Sequence, residues 1–193
     1  MLKRIFTVMF FGGALVFFYS CSPGLGKKLR VDNIFRFWSA RVISPKTIVT
    51  KVRVGTFEDQ RAYTEVGEID GRLLQPDGNV ALNVQLALED LLRDQGTYVS
   101  PTSDKVLVGQ ILEWRVQVTP GFPTTHAQAK AVVRVELRDS TYAVLYTATY
   151  SGSGEAKHPV MTQAKVEQVL SDAMLMALAG VIESNDLMGR LRE

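Results

Sequence analysis

Cysteine is almost missing from this chain: Cys21 is the only one among 193 residues. A single thiol excludes an intramolecular disulfide and any metal site built from several cysteines. Histidine is nearly as scarce, with only His126 and His158. Glu155 precedes His158 by three positions, a spacing that shares a metal on a helix, but Gly154 and Pro159 argue against a helix there. Both histidines therefore read as surface residues. No nucleophile elbow, phosphate loop or dinucleotide fingerprint occurs. The glycine-rich Ser151-Gly-Ser-Gly154 follows a strand pattern without opening a helix at once and reads as a flexible break. These absences point to a non-enzymatic protein without metal or cofactor.

What is present begins with the first residues. Lys3 and Arg4 precede an apolar run, Ile5 to Phe18, broken by Thr7 and Gly12-Gly13 and followed by Tyr19-Ser20-Cys21. A charged start, an apolar run shorter than the ~20 residues of a spanning helix, and a small residue before a cut make a secretory signal. An ordinary signal-peptidase site wants a small residue three places before the cut, where Phe18 stands. A bacterial lipobox fits Ser20 before Cys21, although Tyr19 is bulky and Phe18 replaces the usual leucine. The sequence thus expects a signal over 1–20 and lipidation of Cys21; the competing reading keeps Cys21 as an ordinary residue beside an uncleaved anchor. Several acyl chains hold a membrane firmly where one does so marginally. Ser22 stands where a sorting rule looks for aspartate as an inner-membrane signal, so an outer-membrane protein facing the periplasm is expected.

Charge is unevenly spread. The net charge of +2 falls to zero once Lys3 and Arg4 leave with the signal. Residues 27–46 carry Lys27, Lys28, Arg30, Arg36, Arg41 and Lys46 against Asp32, and residues 47–193 carry a net −5. An acidic folded part argues against nucleic acid, whereas a basic stretch after an anchor suits an anionic membrane. Pro23, Gly24 and Gly26 make Ser22 to Arg30 an irregular tether, extended to residue 41. Phe35, Phe37 and Trp38 among arginines suit the membrane interface, or else pack on the domain as a first edge strand.

Residues 42–193 read as one domain. Thr47 to Phe57 forms a strand with Ile48, Thr50, Val52 and Val54 on one face. Glu58 to Gly78, with three glycines and a proline, reads as a long loop. Asn79 to Gln95 is a capped helix with Val80, Val84, Leu88, Leu91 and Leu92 at helical spacing and Gly96 as its stop. Lys105 to Val118 and Ala127 to Arg138 are strands joined by a loop at Thr119 to His126. In the second of these, Ala129, Ala131, Val133, Val135 and Leu137 face inward. Tyr142 to Tyr150 pairs back, and Thr162 to Ser184 is a helix whose stripe is Val166, Val169, Leu170, Ala173, Ala177 and Val181, with Met174 on its flank. Leu187 to Leu191 adds a final turn. The order β-α-β-β-β-α predicts an α+β two-layer sandwich: a mixed, mainly antiparallel sheet with two helices on one face.

Few residues stand out as sites. Glu58, Asp59, Glu65, Glu68 and Asp70 form an acidic loop whose spacing does not match the calcium-binding EF-hand. Asp59 and Arg61 read as a turn-stabilising pair, and Trp114, Tyr142, Tyr146 and Tyr150 as sheet packing. Phe122 differs, because an aromatic between Pro120 and Pro123 on a loop tip is a candidate partner anchor.

The run Val52-Arg-Val-Gly-Thr-Phe-Glu-Asp-Gln-Arg61 ends a first strand in an acidic-x-Arg turn. With Cys21, the helix from Val80, the strand to Val118, the return Leu145-Tyr-Thr-Ala-Thr-Tyr-Ser-Gly152 and the apolar helix 162–184, it resembles the YajG-type family of bacterial lipoproteins. The layout is also similar to auxiliary lipoproteins of ABC-type transporters and to the amino-terminal domain of TolB. These resemblances imply an envelope lipoprotein that binds a protein partner or, alternatively, a transport accessory holding a ligand between sheet and helices. They carry over no catalytic residue.

Overall fold

The computed structural model describes the backbone of residues 28–30 and then residues 50–193. The signal, Cys21, the aromatics Phe35, Phe37 and Trp38, and Ile48 lie outside the described residues.

A five-stranded mixed sheet runs in the order β5-β2-β6-β7-β8. Its strands are β2 (Lys51–Asp59), β5 (Tyr98–Val99), β6 (Val106–Thr119), β7 (Thr125–Arg138) and β8 (Val144–His158). β2 lies parallel to both β5 and β6, as a helical crossover requires, and β6, β7 and β8 form an antiparallel meander. The helices are α1 (Val80–Asp94), α2 (Gln163–Glu183) and α3 (Asn185–Arg192). α1 packs on β2, and α2 packs on β7 and β8. The fold is the α+β arrangement the pattern predicts.

Side-chain alternation sets the faces. Along β7, Ala127, Ala129, Ala131, Val133, Val135 and Leu137 are buried, while Gln128, Lys130 and Arg134 are exposed. A sheet with one apolar and one polar face buries only the first. The predicted stripe of α2 fills the other layer, and Met174, expected on its flank, is wholly buried. α1 starts at Asn79, whose Oδ1 accepts from the Leu82 N–H at 3.0 Å, and ends where Gly96 turns left-handed at φ 79°. Ser184 serves two helices: it ends α2, and its Oγ accepts from the Leu187 N–H at 3.3 Å.

Four stretches differ from expectation. Glu58 to Gly78 is not a plain loop: β3 (Gly67–Ile69) and β4 (Arg72–Asp77) form an antiparallel hairpin around Asp70-Gly71. Both turn residues have positive φ, 51° and 72°, and the glycine is what makes so tight a reversal cheap. Lys28–Arg30, within the expected irregular tether, forms strand β1, parallel to β4 with Lys28 opposite Gln75. Those three residues include none of the tether's three breakers, Pro23, Gly24 and Gly26, and β4 offers them an edge. Tyr142 is not in a strand; it sits in the turn before β8 at φ 65°, where the Asp139 carboxylate accepts from the Thr141 and Ala143 N–H groups at 2.8 and 3.0 Å.

The fourth difference explains a motif. Ser151 to Gly154 is no break but the middle of β8, paired with β7 from Val132 to Ala129. A Cβ on Gly152 would overlap the backbone of Ala173 and Ala177, and one on Gly154 the backbone of Val169. The two glycines let α2 rest directly on the strand. Close approach, not flexibility, is their role.

Candidate functional site

A broad concavity lies where β6 ends, β7 begins and β8 ends. β3 runs beside β6 here, with the Val116 N–H donating to the Val66 carbonyl at 2.7 Å. The β3–β4 turn thereby becomes one wall of a groove of about 1330 Å³. Pro120 and the Pro159–Met161 connection form other parts of its margin, and Gln128, Ser153 and Gly154 of β7 and β8 line it.

Its electrostatics are mixed. Lys130 Nζ donates to Glu113 at 2.7 Å, and the Arg115 guanidinium carbon lies 5.0 Å from the Tyr63 ring centroid, a cation–π contact. Glu68 and Asp70 line the hairpin wall, and Glu155 lies across the groove on β8. The Glu155 carboxylate is 3.6 Å from Nε2 of His126. His158 is on the neighbouring strand, opposite Thr125, so the two histidines share one end of the sheet. Among the described residues, no group of three or more histidine, cysteine, aspartate or glutamate side chains gathers as a metal site.

The predicted Asp59–Arg61 pair forms a separate site. Arg61 Nε and Nη2 donate to the two carboxylate oxygens of Asp59, each at 2.8 Å. This two-pronged pair sits over Trp114, whose ring centroid is 5.8 Å from the Arg61 guanidinium carbon. Partial burial pushes the Asp59 carboxyl up, but the hydrogen bonds and charge of Arg61 outweigh burial and hold it below the usual carboxylate range. Trp114 Nε1 in turn donates to the Leu170 carbonyl of α2 at 3.0 Å. The acidic-x-Arg turn therefore clamps the end of β2 onto the core. Trp114 and the buried sides of Tyr146 and Tyr150 pack as predicted, while Tyr142 is exposed.

The expected acidic loop does not act as a unit. Glu58 accepts from Gln60 Nε2 at 2.9 Å and Asp59 binds Arg61, whereas Glu68 and Asp70 lie on the hairpin. Phe122 is fully exposed at the tip of the β6–β7 loop, beside the groove's Pro120, and Val160 is 68% exposed on the β8–α2 connection. Sequence reasoning singled out Phe122 but not Val160 or the groove, which three distant loops assemble.

The profile of an uncharacterised lipoprotein family matches residues 47–191, and the chain belongs to that family. This agrees with its likeness to YajG-type lipoproteins. A Xanthomonas campestris protein of family DUF330 is similar in structure, with 11% identity over 76% of this chain and 90% of that one and a TM-score of 0.57. A minor lipoprotein from Acinetobacter baumannii shows 14% identity over 70% of this chain and 92% of its own, with a TM-score of 0.43. A Neisseria meningitidis lipoprotein shows 12% identity over 63% and 93%, with a TM-score of 0.37. No curated protein matches the sequence.

Proposed function

We propose that this is a lipid-anchored envelope protein, acylated on Cys21 and held at the outer membrane facing the periplasm. It acts without catalysis, by binding a partner protein in the groove between the β3–β4 turn and the ends of β6 to β8. The groove itself carries the reading. At about 1330 Å³ it exceeds the ~300–1,000 Å³ of sites that enclose a small molecule, and it opens along the sheet end. Such a shape suits an extended polypeptide segment. The carboxylates of Glu68 and Asp70 on the hairpin wall, which have no ion pair among the described residues, favour a segment carrying basic side chains. The alternative of a transport accessory with a ligand between sheet and helices has less support, because Leu107, Ile111, Val133, Met174 and Leu178 are wholly buried in that layer.

A photo-crosslinking residue at Gln128, in the groove, tests this in intact envelopes. A discrete protein adduct is expected from Gln128 and none from Leu82 on the exposed side of α1. Equal labelling from both positions, or none from Gln128, would rule out the groove. The anchor has its own test: Cys21→Ser should abolish the acyl mass and release the protein from membranes.

A further inference from the structure

Beside the groove and its Glu68, Asp70 and Glu155 carboxylates, the loops at this end of the sheet carry exposed apolar side chains and lysines. From Trp114 to Val135 there is no aspartate or glutamate, and there is none from Ala156 to Val166. Within these two segments lie Arg115, Lys130, Arg134, Lys157 and Lys165, in a part of the chain whose net charge is −5. The strand register brings the segments together, since Thr125 pairs with His158 and His126 with Lys157. Phe122, fully exposed, and Val160, 68% exposed, project from the two neighbouring loops. Lys157 is exposed behind them, and Lys165 Nζ donates to the Val160 carbonyl at 3.4 Å. An exposed aromatic and an aliphatic backed by lysines match the boundary of an anionic bilayer, where rings sit at headgroup depth and ammonium groups meet phosphates.

The direction of the chain agrees. β4 runs from the β3–β4 turn, beside the same loops, toward α1, and β1 is parallel to it. Within β1 the chain therefore runs away from the loop end. Lys28 is level with Gln75, and Cys21 precedes it by seven residues, a reach of at most about 25 Å in an extended chain. A lipid on Cys21 is thus held within about 25 Å of Lys28, a reach that takes in the loops carrying Phe122 and Val160.

We propose that the β6–β7 and β8–α2 loops form a membrane-docking surface, Phe122 and Val160 entering the headgroup region of an anionic bilayer and Lys157 and Lys165 contacting its phosphates. This assigns Phe122 to lipid, not to a protein partner. It rests on the lipid-anchor reading above, and the two can fail separately.

The test places one nitroxide reporter at a time on the purified full lipoprotein, at Phe122→Cys or at Ser140→Cys in the turn at the opposite end of the sheet. The protein is reconstituted in vesicles of phosphatidylethanolamine and phosphatidylglycerol with no other protein, and accessibility to a water-soluble relaxant is compared with accessibility to oxygen. The reporter at 122 should be several-fold better protected from the aqueous relaxant than the one at 140. That protection should weaken with Lys157→Glu and Lys165→Glu together. A 122 reporter as wet as the 140 reporter, on protein whose acyl mass is confirmed, overturns the docking surface and leaves the anchor standing. Protection at 122 in intact envelopes but not in protein-free vesicles overturns it in favour of a protein contact. If Cys21 proves unacylated, the reporters are repeated in Cys21→Ser: protection at 122 then supports the surface and removes the anchor, and its absence removes both.

Discussion

The two ends of the sheet are finished in opposite ways. At one end the strands are tied to α2 and α3 by side-chain hydrogen bonds. The hydroxyls of Tyr146 and Tyr150 are 3.0 Å apart, Tyr146 also lies 3.3 Å from Ser184 Oγ, and Lys105 Nζ donates to the Arg190 and Leu191 carbonyls at the end of α3. α3 closes that end by burying Leu187 and Leu191. At the other end the same strands stop in loops that leave Phe122 and Val160 exposed beside the groove. A closed end carries stability, and an end with unanswered apolar surface is where contacts with other molecules are made. Substitutions at the loop end should therefore cost less stability than those in the packed layer between the ends or at the closed end.

The largest loss is expected between the ends, where α2 touches β8. Gly152→Val places branched carbon against the backbone of Ala173 and Ala177, which cannot rotate away. Overpacking against backbone should cost about 3 kcal/mol or more, read by urea unfolding. A loss under about 1 kcal/mol, the size of an ordinary substitution, would show that α2 does not rest on this strand.

Next comes the clamp at the end of β2. Arg61→Gln removes both bonds to Asp59 and the cation over Trp114, and should cost about 1–3 kcal/mol. The pair also has a pH signature. Asp59 titrates lower in the folded protein than in the unfolded chain, so its contribution is present above the unfolded value of 3.8 and is lost as pH falls through the lower folded value. Acid unfolding of the wild type should be steeper below about pH 4 than that of Arg61→Gln.

Much of this architecture is written locally. The helix from Asn79 carries its cap, its stripe and its stop, and β7 alternates so cleanly that its two faces follow from residue type alone. What failed to show was set by distant partners. Gly152 and Gly154 look like breakers until α2 lies over them. Gly67 to Asp77 looks like loop because its strands are three and six residues long and pair only with each other and with β1 among the described residues. The candidate site divides in the same way. Phe122 was legible because an aromatic between prolines has little else to do, whereas the groove joins the β3–β4 turn to loops some fifty and ninety residues later. No local pattern announces that.

At the closed end, burial pushes the Tyr150 phenol up to about 12. The protonated phenol is the form the fold favours, so this contribution is intact below the ordinary value of 10.0 and fades as pH rises through about 12. Tyr150→Phe should cost about 1 kcal/mol at neutral pH through the lost hydroxyl bond. It should also flatten the decline in stability between pH 10 and 12. An unchanged alkaline limb would mean that this end is not sealed by the tyrosine pair.

The smallest effect belongs to the loop end. Phe122 is fully exposed and buries nothing on folding, so Phe122→Ser should leave thermal and urea stability within about 0.5 kcal/mol of wild type. A core aromatic truncated in the same way loses about 3–5 kcal/mol, so the expected indifference is itself diagnostic. If Phe122→Ser destabilised the isolated protein as an interior substitution does, the ring would be packing on its own chain, and the loop end would be a second closed end. If stability holds while vesicle contact weakens, the ring is retained for a surface outside the molecule.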